Sequence, residues 1–181
     1  MAKIQRHWFT LVVSMLAGCA PAGGRHSPRA IAPPVVPLTA DGVHALVASP
    51  GARATLVNLW ATWCAPCREE MPALLKVARA RRAEGLRLVL ISTDAEDQLP
   101  QVARFLAAQG VTDTSYLAAG SEMAFIDGLD PRWSGALPAT FVYDGAGRLE
   151  AFWEGAANEA RFDQSIQTAL THSIATEKPT P

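Results

Sequence analysis

Residues 58–67 of the chain have the sequence NLWATWCAPC, which ends in two cysteines, Cys64 and Cys67. The segment TLVNLW at 55–60 has the apolar, partly β-branched composition of a buried parallel strand. A helix-like stretch follows over 64–83. The pattern therefore predicts that the two cysteines lie where a strand passes into a helix.

This position at the start of a helix favours a redox function for the cysteine pair. Residues three apart are neighbours on the first turn of a helix, so Cys64 and Cys67 can form a disulfide. The helix N-terminus favours a thiolate at Cys64, which makes that residue the expected nucleophile. Cys67 is then placed to resolve the mixed disulfide that Cys64 forms with a substrate. Pro66 fits the first turn, where its missing N–H has no intrahelical acceptor, and we expect it to belong to the substrate-binding surface.

Other interpretations of two cysteines at this spacing are weaker. A structural zinc site needs two more ligands, and the only further cysteine is Cys19, so we expect no metal site. Haem attachment needs histidine after the second cysteine, but Arg68 follows Cys67. Trp63 offers a rigid surface beside Cys64 on which a substrate could pack, or it is a core aromatic residue.

The rest of the chain continues the alternation of strands and helices. An apolar strand-like run at 86–93 precedes a helical pattern at 97–109, which predicts a parallel crossover. Segments 139–144 and 149–154 flank Gly-Ala-Gly as an antiparallel hairpin, and 158–171 forms a last amphipathic helix. The predicted fold class is α/β, with a central mixed sheet flanked by helices on both faces.

The amino-acid composition and net charge limit the classes of molecule that this protein is expected to bind. The chain has 181 residues and a formal net charge of −1, with 49% hydrophobic and 18% charged residues. These values are typical of a globular domain, and we expect a monomer. No basic excess is present that would follow a phosphate backbone, so nucleic acid is not an expected partner.

The N-terminal region has the layout of an export signal. Lys3 and Arg6 precede an apolar stretch that ends in LAGC, similar to the lipobox of bacterial lipoproteins. We predict a lipoprotein signal peptide at 1–18 and lipid modification at Cys19; the alternative is a plain signal peptide with a coincidental cysteine. We also predict a flexible, proline-rich tether at 19–38, a folded domain at 39–172 and a disordered tail at 173–181.

The motifs VNLWATWCAPCREEMP (57–72) and GALPATFVYD (135–144) resemble the thioredoxin superfamily, and more closely its exported TlpA/ResA-like branch. The resemblance extends over roughly residues 40–171. It implies a thioredoxin fold and thiol–disulfide exchange by a redox-active Cys64–Cys67 disulfide, with no other cofactor. It also implies that Pro138 is a cis-proline that faces the disulfide, with Leu137 beside it in the substrate-binding surface.

The resemblance also suggests a proton acceptor. Asn58 occupies the position of the buried acid of cytosolic thioredoxins, so another group must assist Cys67. Glu70 matches the glutamate of the family's C-x-x-E-x-P pattern and is the expected base. The alternative is that Glu69 and Glu70 only complement the helix N-terminus. Trp133, in DPRWSGALP at 130–138, either defines substrate specificity or packs its loop.

The pair Ala65-Pro66 lacks the histidine of the strong oxidants of the superfamily, so we expect a reductant of client disulfides. The resemblance implies an extracytoplasmic or periplasmic, membrane-anchored protein that receives electrons from a DsbD/CcdA-type membrane donor. Expected clients are the cysteines of apocytochrome c or of a copper-site protein. Ala139 replaces a glutamate often found in the cytochrome-maturation branch. A copper-binding module and a thiol peroxidase are the alternative functions.

Overall fold

The computed structural model describes residues 32–177. The strands are β1 (Val35–Leu38), β2 (Ala54–Trp60), β3 (Leu86–Ser92), β4 (Ser115–Ala118), β5 (Ala139–Asp144) and β6 (Leu149–Glu154). The helices are α1 (Ala40–Val47), α2 (Ala65–Arg81), α3 (Leu99–Ala108), α4 (Glu122–Leu129) and α5 (Glu159–Glu177), with 3₁₀ turns at Arg82–Glu84 and Glu96–Gln98. The strands form one mixed sheet in the order β1-β4-β3-β2-β5-β6.

Strand β2 is central and fully buried, as its continuous apolar composition predicts. It pairs in parallel with β3 and antiparallel with β5. In this register Asn58 lies opposite Leu90 on one side and Thr140 on the other. Strands β5 and β6 form the predicted antiparallel hairpin. The register therefore places the polar Asn58 next to another polar residue in an otherwise apolar layer.

Alternation along β2 creates two core layers. Leu56 and Trp60 belong to the cluster that includes α2, α3 and α5, whereas Val57 and Leu59 belong to the cluster formed with α1 and α4. The predicted apolar face of α5 is confirmed, since its four residues are at most 2% exposed: Phe162, Ile166, Ala169 and Leu170. Burial of a side chain such as Phe162 stabilises the fold by about 1.5–3 kcal/mol.

The domain begins earlier than the predicted boundary at residue 39. Residues 35–38, which we expected to belong to the tether, form β1 and pair in parallel with β4. Pro37 is compatible with this strand because β1 lies at the edge of the sheet, where a missing N–H donor is tolerated. The proline-rich sequence did not predict this strand, because the strand forms by pairing with a distant segment. In that pairing Val35 lies opposite Ser115.

The domain also ends later than predicted. Helix α5 continues to Glu177, so residues 173–177 are helical and do not form a disordered tail. The hydroxyl of Ser173 donates to the carbonyl of Arg53 and accepts from the N–H of Gly145. These bonds tie the predicted tail to the start of β2 and to the β5–β6 turn.

Three short elements, α1, β4 and α4, were absent from the sequence-based prediction. The predicted signal peptide and Cys19 lie outside the described residues, as does the part of the tether before residue 32. Within residues 32–177, no helix combines the length and the apolar character needed to cross a membrane.

Candidate functional site

Cys64 and Cys67 form a disulfide at the start of α2, with their Cα atoms 5.3 Å apart. Cys64 is the N-cap of the helix, and its Sγ accepts a hydrogen bond of 3.3 Å from the N–H of Cys67. Cys64 is 5% exposed, whereas Cys67 is fully buried. The N–H of Cys67 at the helix N-terminus therefore donates to the sulfur of Cys64, where it would stabilise a thiolate, and Cys64 is the more exposed of the two residues.

The two neighbours of the disulfide face solvent. Pro66 is exposed in the first turn of α2, where the helix needs no N–H from it. The side chain of Trp63 is 69% exposed, so the interpretation of Trp63 as a core aromatic residue is wrong. An exposed indole next to Cys64 leaves a large apolar surface available to a bound substrate.

Glu70 lies behind the disulfide, three residues after Cys67 on α2, and is 4% exposed. Its Oε1 accepts a hydrogen bond of 3.0 Å from Nδ2 of Asn58, and its Oε2 accepts one of 2.8 Å from the N–H of Ala157. Burial raises the pKa of the Glu70 carboxyl above its ordinary value, while the bonds from Ala157 and Asn58 lower it by less. A carboxyl whose pKa is raised by burial accepts and holds a proton more readily than an exposed one, as a general base requires.

Asn58 and Thr140 complete this buried polar group, and the role of Thr140 was missed in the sequence. Nδ2 of Asn58 also donates to Oγ1 of Thr140 at 3.1 Å, so both amide hydrogens are used. Oδ1 of Asn58 is buried without a hydrogen-bond partner among the described residues. The amide thus presents donors to Glu70 and Thr140, which fixes the orientation of the Glu70 carboxylate.

The Leu137–Pro138 peptide bond is cis, as the resemblance implied. Pro138 is buried, and its carbonyl accepts a hydrogen bond of 2.8 Å from the N–H of Gly155. The pairing of Leu59 with Ala139 sets Pro138 at the end of the sheet where β2 passes into the cysteine loop. Leu137 is half-buried and lines a cavity beside the cysteine loop, and among residues 32–177 its backbone forms no hydrogen bond with another backbone group.

Trp133 is a packing residue. It is 4% exposed, and its ring makes edge contacts with Phe125 and Phe141, each at a centroid distance of 6.4 Å. Its Nε1 donates to the carbonyl of Ala136 at 2.9 Å. Trp133 therefore holds the loop that leads to Pro138.

Asp94 is a second buried carboxylate that sequence analysis missed. Its Oδ2 accepts from the N–H of Thr62 at 2.9 Å and from Oγ of Ser92 at 2.6 Å, and its Oδ1 accepts from Oγ1 of Thr62 at 2.5 Å. These bonds attach the turn before Trp63 to the end of β3. A polar residue two positions after a buried strand is the only local signal, and it does not identify the partner.

Comparison with known proteins places this site in a family. A family model described as "AhpC/TSA family" matches residues 36–152. The thiol:disulfide interchange protein HelX of Rhodobacter capsulatus is 35% identical over 116 residues, which are 64% of this chain and 60% of HelX. The thiol:disulfide interchange protein DsbE of Haemophilus influenzae is 33% identical over 112 residues, 62% of this chain and 56% of DsbE. The chain therefore spans less than two thirds of the length of each of these relatives.

A solved structure with a similar fold comes from the same kind of protein as these sequence relatives. The thiol:disulfide interchange protein of the thioredoxin family from Chlorobium tepidum superposes with a TM-score of 0.58 at 28% identity. The match covers 76% of this chain and 97% of that chain, which confirms the predicted thioredoxin fold. The family match and the fold support the same family assignment. The Cys64–Cys67 disulfide agrees with it. The chain belongs to the AhpC/TSA family, and it is similar to the thiol:disulfide interchange proteins named above.

Proposed function

We propose that this protein is a thiol–disulfide oxidoreductase that reduces disulfides in client proteins. The observation that carries the proposal is the Cys64–Cys67 disulfide at the start of α2, with the buried Glu70 one turn behind it. A nucleophilic sulfur, a resolving sulfur and a proton acceptor are the three groups that disulfide exchange requires. The relatives named above are thiol:disulfide interchange proteins, which supports the same conclusion.

In the first step, the Cys64 thiolate attacks one sulfur of a client disulfide. The client S–S bond breaks as a bond forms between Cys64 and that sulfur, and the second client sulfur leaves as a thiolate that takes a proton from solvent. The helix N-terminus stabilises the attacking thiolate before the reaction. The exposed Trp63, together with Leu137 before the cis-proline, would provide the surface on which the client segment rests.

In the second step, Cys67 resolves the mixed disulfide. Cys67 transfers its proton to Glu70, and the resulting thiolate attacks Sγ of Cys64. The bond from Cys64 to the client breaks, and the first client sulfur leaves as a thiolate and takes a proton. In sum, the protein dithiol becomes a disulfide while the client disulfide becomes a dithiol, with transfer of two electrons and two protons.

The direction of transfer follows from the residues between the cysteines. Ala65 and Pro66 add no charge or hydrogen bond that would further stabilise the thiolate form, so the dithiol has less tendency to persist than in a strong oxidant. We propose that clients are metalloproteins whose cysteines must be reduced before cofactor insertion, such as apocytochrome c or a copper-site protein. A membrane dithiol donor of the DsbD/CcdA type would return two electrons and two protons to the Cys64–Cys67 disulfide.

The proposed location is the periplasm or the extracytoplasmic face of a membrane, with a lipid anchor on Cys19. The LAGC sequence at the end of the apolar N-terminal stretch supports this location. Replacement of Cys19 by Ser should release the protein into the soluble periplasmic fraction or block its processing. Unchanged membrane association of Cys19→Ser would contradict the anchor.

The proposed function can be tested by trapping client proteins on Cys64. The Cys67→Ser variant should accumulate as a mixed disulfide with clients through Cys64, and mass spectrometry after affinity purification would identify them. Cys64→Ser is the matched control and should trap few or none. Equal trapping by both variants would contradict the assigned roles. Peroxide-dependent thiol consumption, or tight Cu(I) binding without disulfide reductase activity, would instead favour the peroxidase or the copper-binding module.

A further inference from the structure

The end of the sheet opposite the disulfide carries a group of arginines. Strands β1 to β4 are parallel to one another and begin at this end, whereas Cys64 comes after β2 at the other end. The seven residues of β2 separate the two ends by about 20 Å. Arg53 precedes β2, and Arg87 is the second residue of β3. Arg79 and Arg82 lie where α2 passes into the 3₁₀ turn before β3. We call these four arginines the arginine edge.

Three of the four arginines form no ion pair with a carboxylate among residues 32–177. Arg79 donates to backbone carbonyls at the end of α3. Arg87 donates to backbone carbonyls and a hydroxyl at and just after the end of α1. Arg53 donates to the carbonyls of Glu84 and Leu170. These bonds to neutral groups fix the position of each guanidinium and leave its positive charge without an anionic partner.

The carboxylates within this region are already paired. Glu84 lies in an ion pair with Arg81, and Asp113 lies in one with Arg82. A cavity of about 500 Å³ opens here, and its lining includes Asp113 together with Arg79, Arg82 and Arg87. The arginine edge therefore carries a local excess of positive charge, which favours an anionic partner.

The chain enters the domain at the same end. The carbonyl of Pro34, just before β1, accepts a hydrogen bond of 2.9 Å from the N–H of Ser115, and Ser115 lines the cavity of the arginine edge. Pro34 comes 15 residues after Cys19 in the sequence, and 15 residues span at most about 50 Å. Residues 20–34 contain two arginines and no Asp or Glu. A lipid on Cys19 would thus hold the arginine edge close to the membrane.

We propose that the arginine edge docks on an anionic lipid surface, that of the membrane which holds the lipid of Cys19. This inference rests on the proposed location and adds the orientation of the domain. Basic side chains are attracted to an anionic bilayer within about one Debye length, which is about 8 Å at physiological ionic strength. The anchor raises the local concentration of the domain, so a few arginines suffice. In this orientation the disulfide lies at the end of the domain away from the bilayer, where it is open to soluble clients.

Chemical modification of arginine tests the proposal on the lipidated full-length chain. The protein is reconstituted into vesicles of phosphatidylcholine, or of equal parts of phosphatidylcholine and phosphatidylglycerol. Phenylglyoxal is then added, and mass spectrometry of peptides measures the rate of modification at each arginine. Arg79 and Arg82 are exposed and report on the arginine edge. Arg68 is exposed in the first turn of α2, next to the disulfide, and serves as the internal control.

The modification of Arg82 should be at least about fivefold slower in anionic than in neutral vesicles, which is the effect of a single basic residue near such a surface. The rate at Arg68 should be the same in both kinds of vesicle. High salt should restore the rate at Arg82, because it screens the attraction between exposed charges. Addition of soluble polyglutamate to neutral vesicles should protect Arg82 less than the anionic vesicles do.

Charge variants assign the protection to the arginine edge. Arg79→Gln/Arg87→Gln should reduce the protection of Arg82 in anionic vesicles. Arg79→Lys/Arg87→Lys should retain it, because both charges are kept. The matched control is Arg68→Gln/Arg104→Gln, which removes the same charge from exposed positions outside the arginine edge and should also retain the protection. The dependence on lipid charge in wild type decides the question even if the variants at Arg87 do not fold.

The outcomes separate the docking from the anchor and from the proposed function. Equal modification of Arg82 in both kinds of vesicle would overturn the docking, as would equal protection of Arg68 or a loss of protection in the control variant. Stronger protection by polyglutamate would replace the lipid surface by an acidic protein. Loss of the protein from neutral vesicles would contradict the anchor, and Arg82 in anionic vesicles would then be compared with Arg82 in solution. Reduction of bis(2-hydroxyethyl) disulfide, a small neutral probe, reports on the function separately.

Discussion

Nδ2 of Asn58 donates a hydrogen bond of 3.0 Å to Oε1 of Glu70, which links the centre of β2 to helix α2 behind the disulfide. The bond joins a neutral amide to the carboxyl that we propose as the base for Cys67. Because an amide cannot take a proton, the carboxyl is the member of this pair that can titrate. Asn58 thus positions Glu70 and leaves proton transfer to it.

Replacement of Glu70 by Gln should slow the release of the mixed disulfide at least tenfold near neutral pH. A general base typically contributes about 10²–10⁴-fold, so even partial assistance exceeds this threshold. The slowing should fade in alkali, where Cys67 ionises without help. Stopped-flow measurement of resolution by reduced protein, from neutral to alkaline pH, gives both the size and the pH dependence of the effect.

Glu69→Gln is the control for this prediction. Glu69 precedes Glu70 on α2 and is exposed, so its replacement removes the same charge without touching the buried contacts. It should resolve mixed disulfides at the wild-type rate. If Glu70→Gln behaves like Glu69→Gln across the whole pH range, Glu70 is only a charge at the helix start.

The raised pKa of Glu70 also predicts how stability depends on pH. The folded state holds the Glu70 proton more tightly than the unfolded state, so this residue contributes stability below its ordinary pKa of 4.5. That contribution is lost as pH rises through the raised folded-state pKa. Denaturant unfolding of the oxidised protein should therefore show wild type losing stability relative to Glu70→Gln as pH rises above 4.5.

The other carboxyl groups are present in both wild type and Glu70→Gln, so their contributions cancel in the difference between the two unfolding free energies. Oxidised protein is used so that neither cysteine titrates. A difference in unfolding free energy between wild type and Glu70→Gln that stays constant over this pH range would contradict a raised pKa at Glu70.

The Asn58→Asp variant tests the contact between Asn58 and Glu70 by changing Asn58. It would place a second carboxyl about 3 Å from Glu70, and two carboxylates this close cannot both ionise easily. The oxidised variant should be close to wild-type stability in acid, where the pair shares a proton. It should lose roughly 1–3 kcal/mol at pH 8, since each pKa unit corresponds to about 1.4 kcal/mol. Equal stability of Asn58→Asp and wild type at both pH values would contradict the close pairing.

The cysteine site is predictable from sequence because its determinants are local. Cys64 caps the helix, Pro66 occupies its first turn, and Cys67 and Glu70 follow at helical spacing. The strand before them is recognisable by composition alone. The apolar face of α5 is predictable for the same reason, because Phe162 and Ile166 are one turn apart.

The partners of Glu70 are not predictable in this way. Ala157, which donates to Oε2, lies 87 residues further along the chain, and Thr140, which accepts from Asn58, lies 82 residues beyond Asn58. These contacts depend on the register of β2 with β5 and on the path from β6 to α5. Strand β1 was missed for a related reason, since Val35–Leu38 shows no local alternation and gains its structure by pairing with β4.

Asp94 gives the last prediction, because it attaches the turn before Trp63 and Cys64 to the end of β3. Asp94→Ala would leave the N–H of Thr62 and the hydroxyls of Thr62 and Ser92 without their acceptor, at a cost of about 1.5–3 kcal/mol. Denaturant unfolding measures this loss. The loosened turn should also slow the attack of Cys64 on bis(2-hydroxyethyl) disulfide.

Asp94→Asn should cost less than Asp94→Ala, because its amide retains one oxygen for the N–H of Thr62 and turns its NH₂ toward the Thr62 hydroxyl, which can accept. The expected order of stability and of reaction rate is therefore wild type, Asp94→Asn, Asp94→Ala. Asp97→Ala is the control, since Asp97 is exposed in the 3₁₀ turn that follows. If Asp94→Ala matched Asp97→Ala in both measurements, the bonds to Thr62 would not hold the turn, and the position of Cys64 would depend on the helix alone.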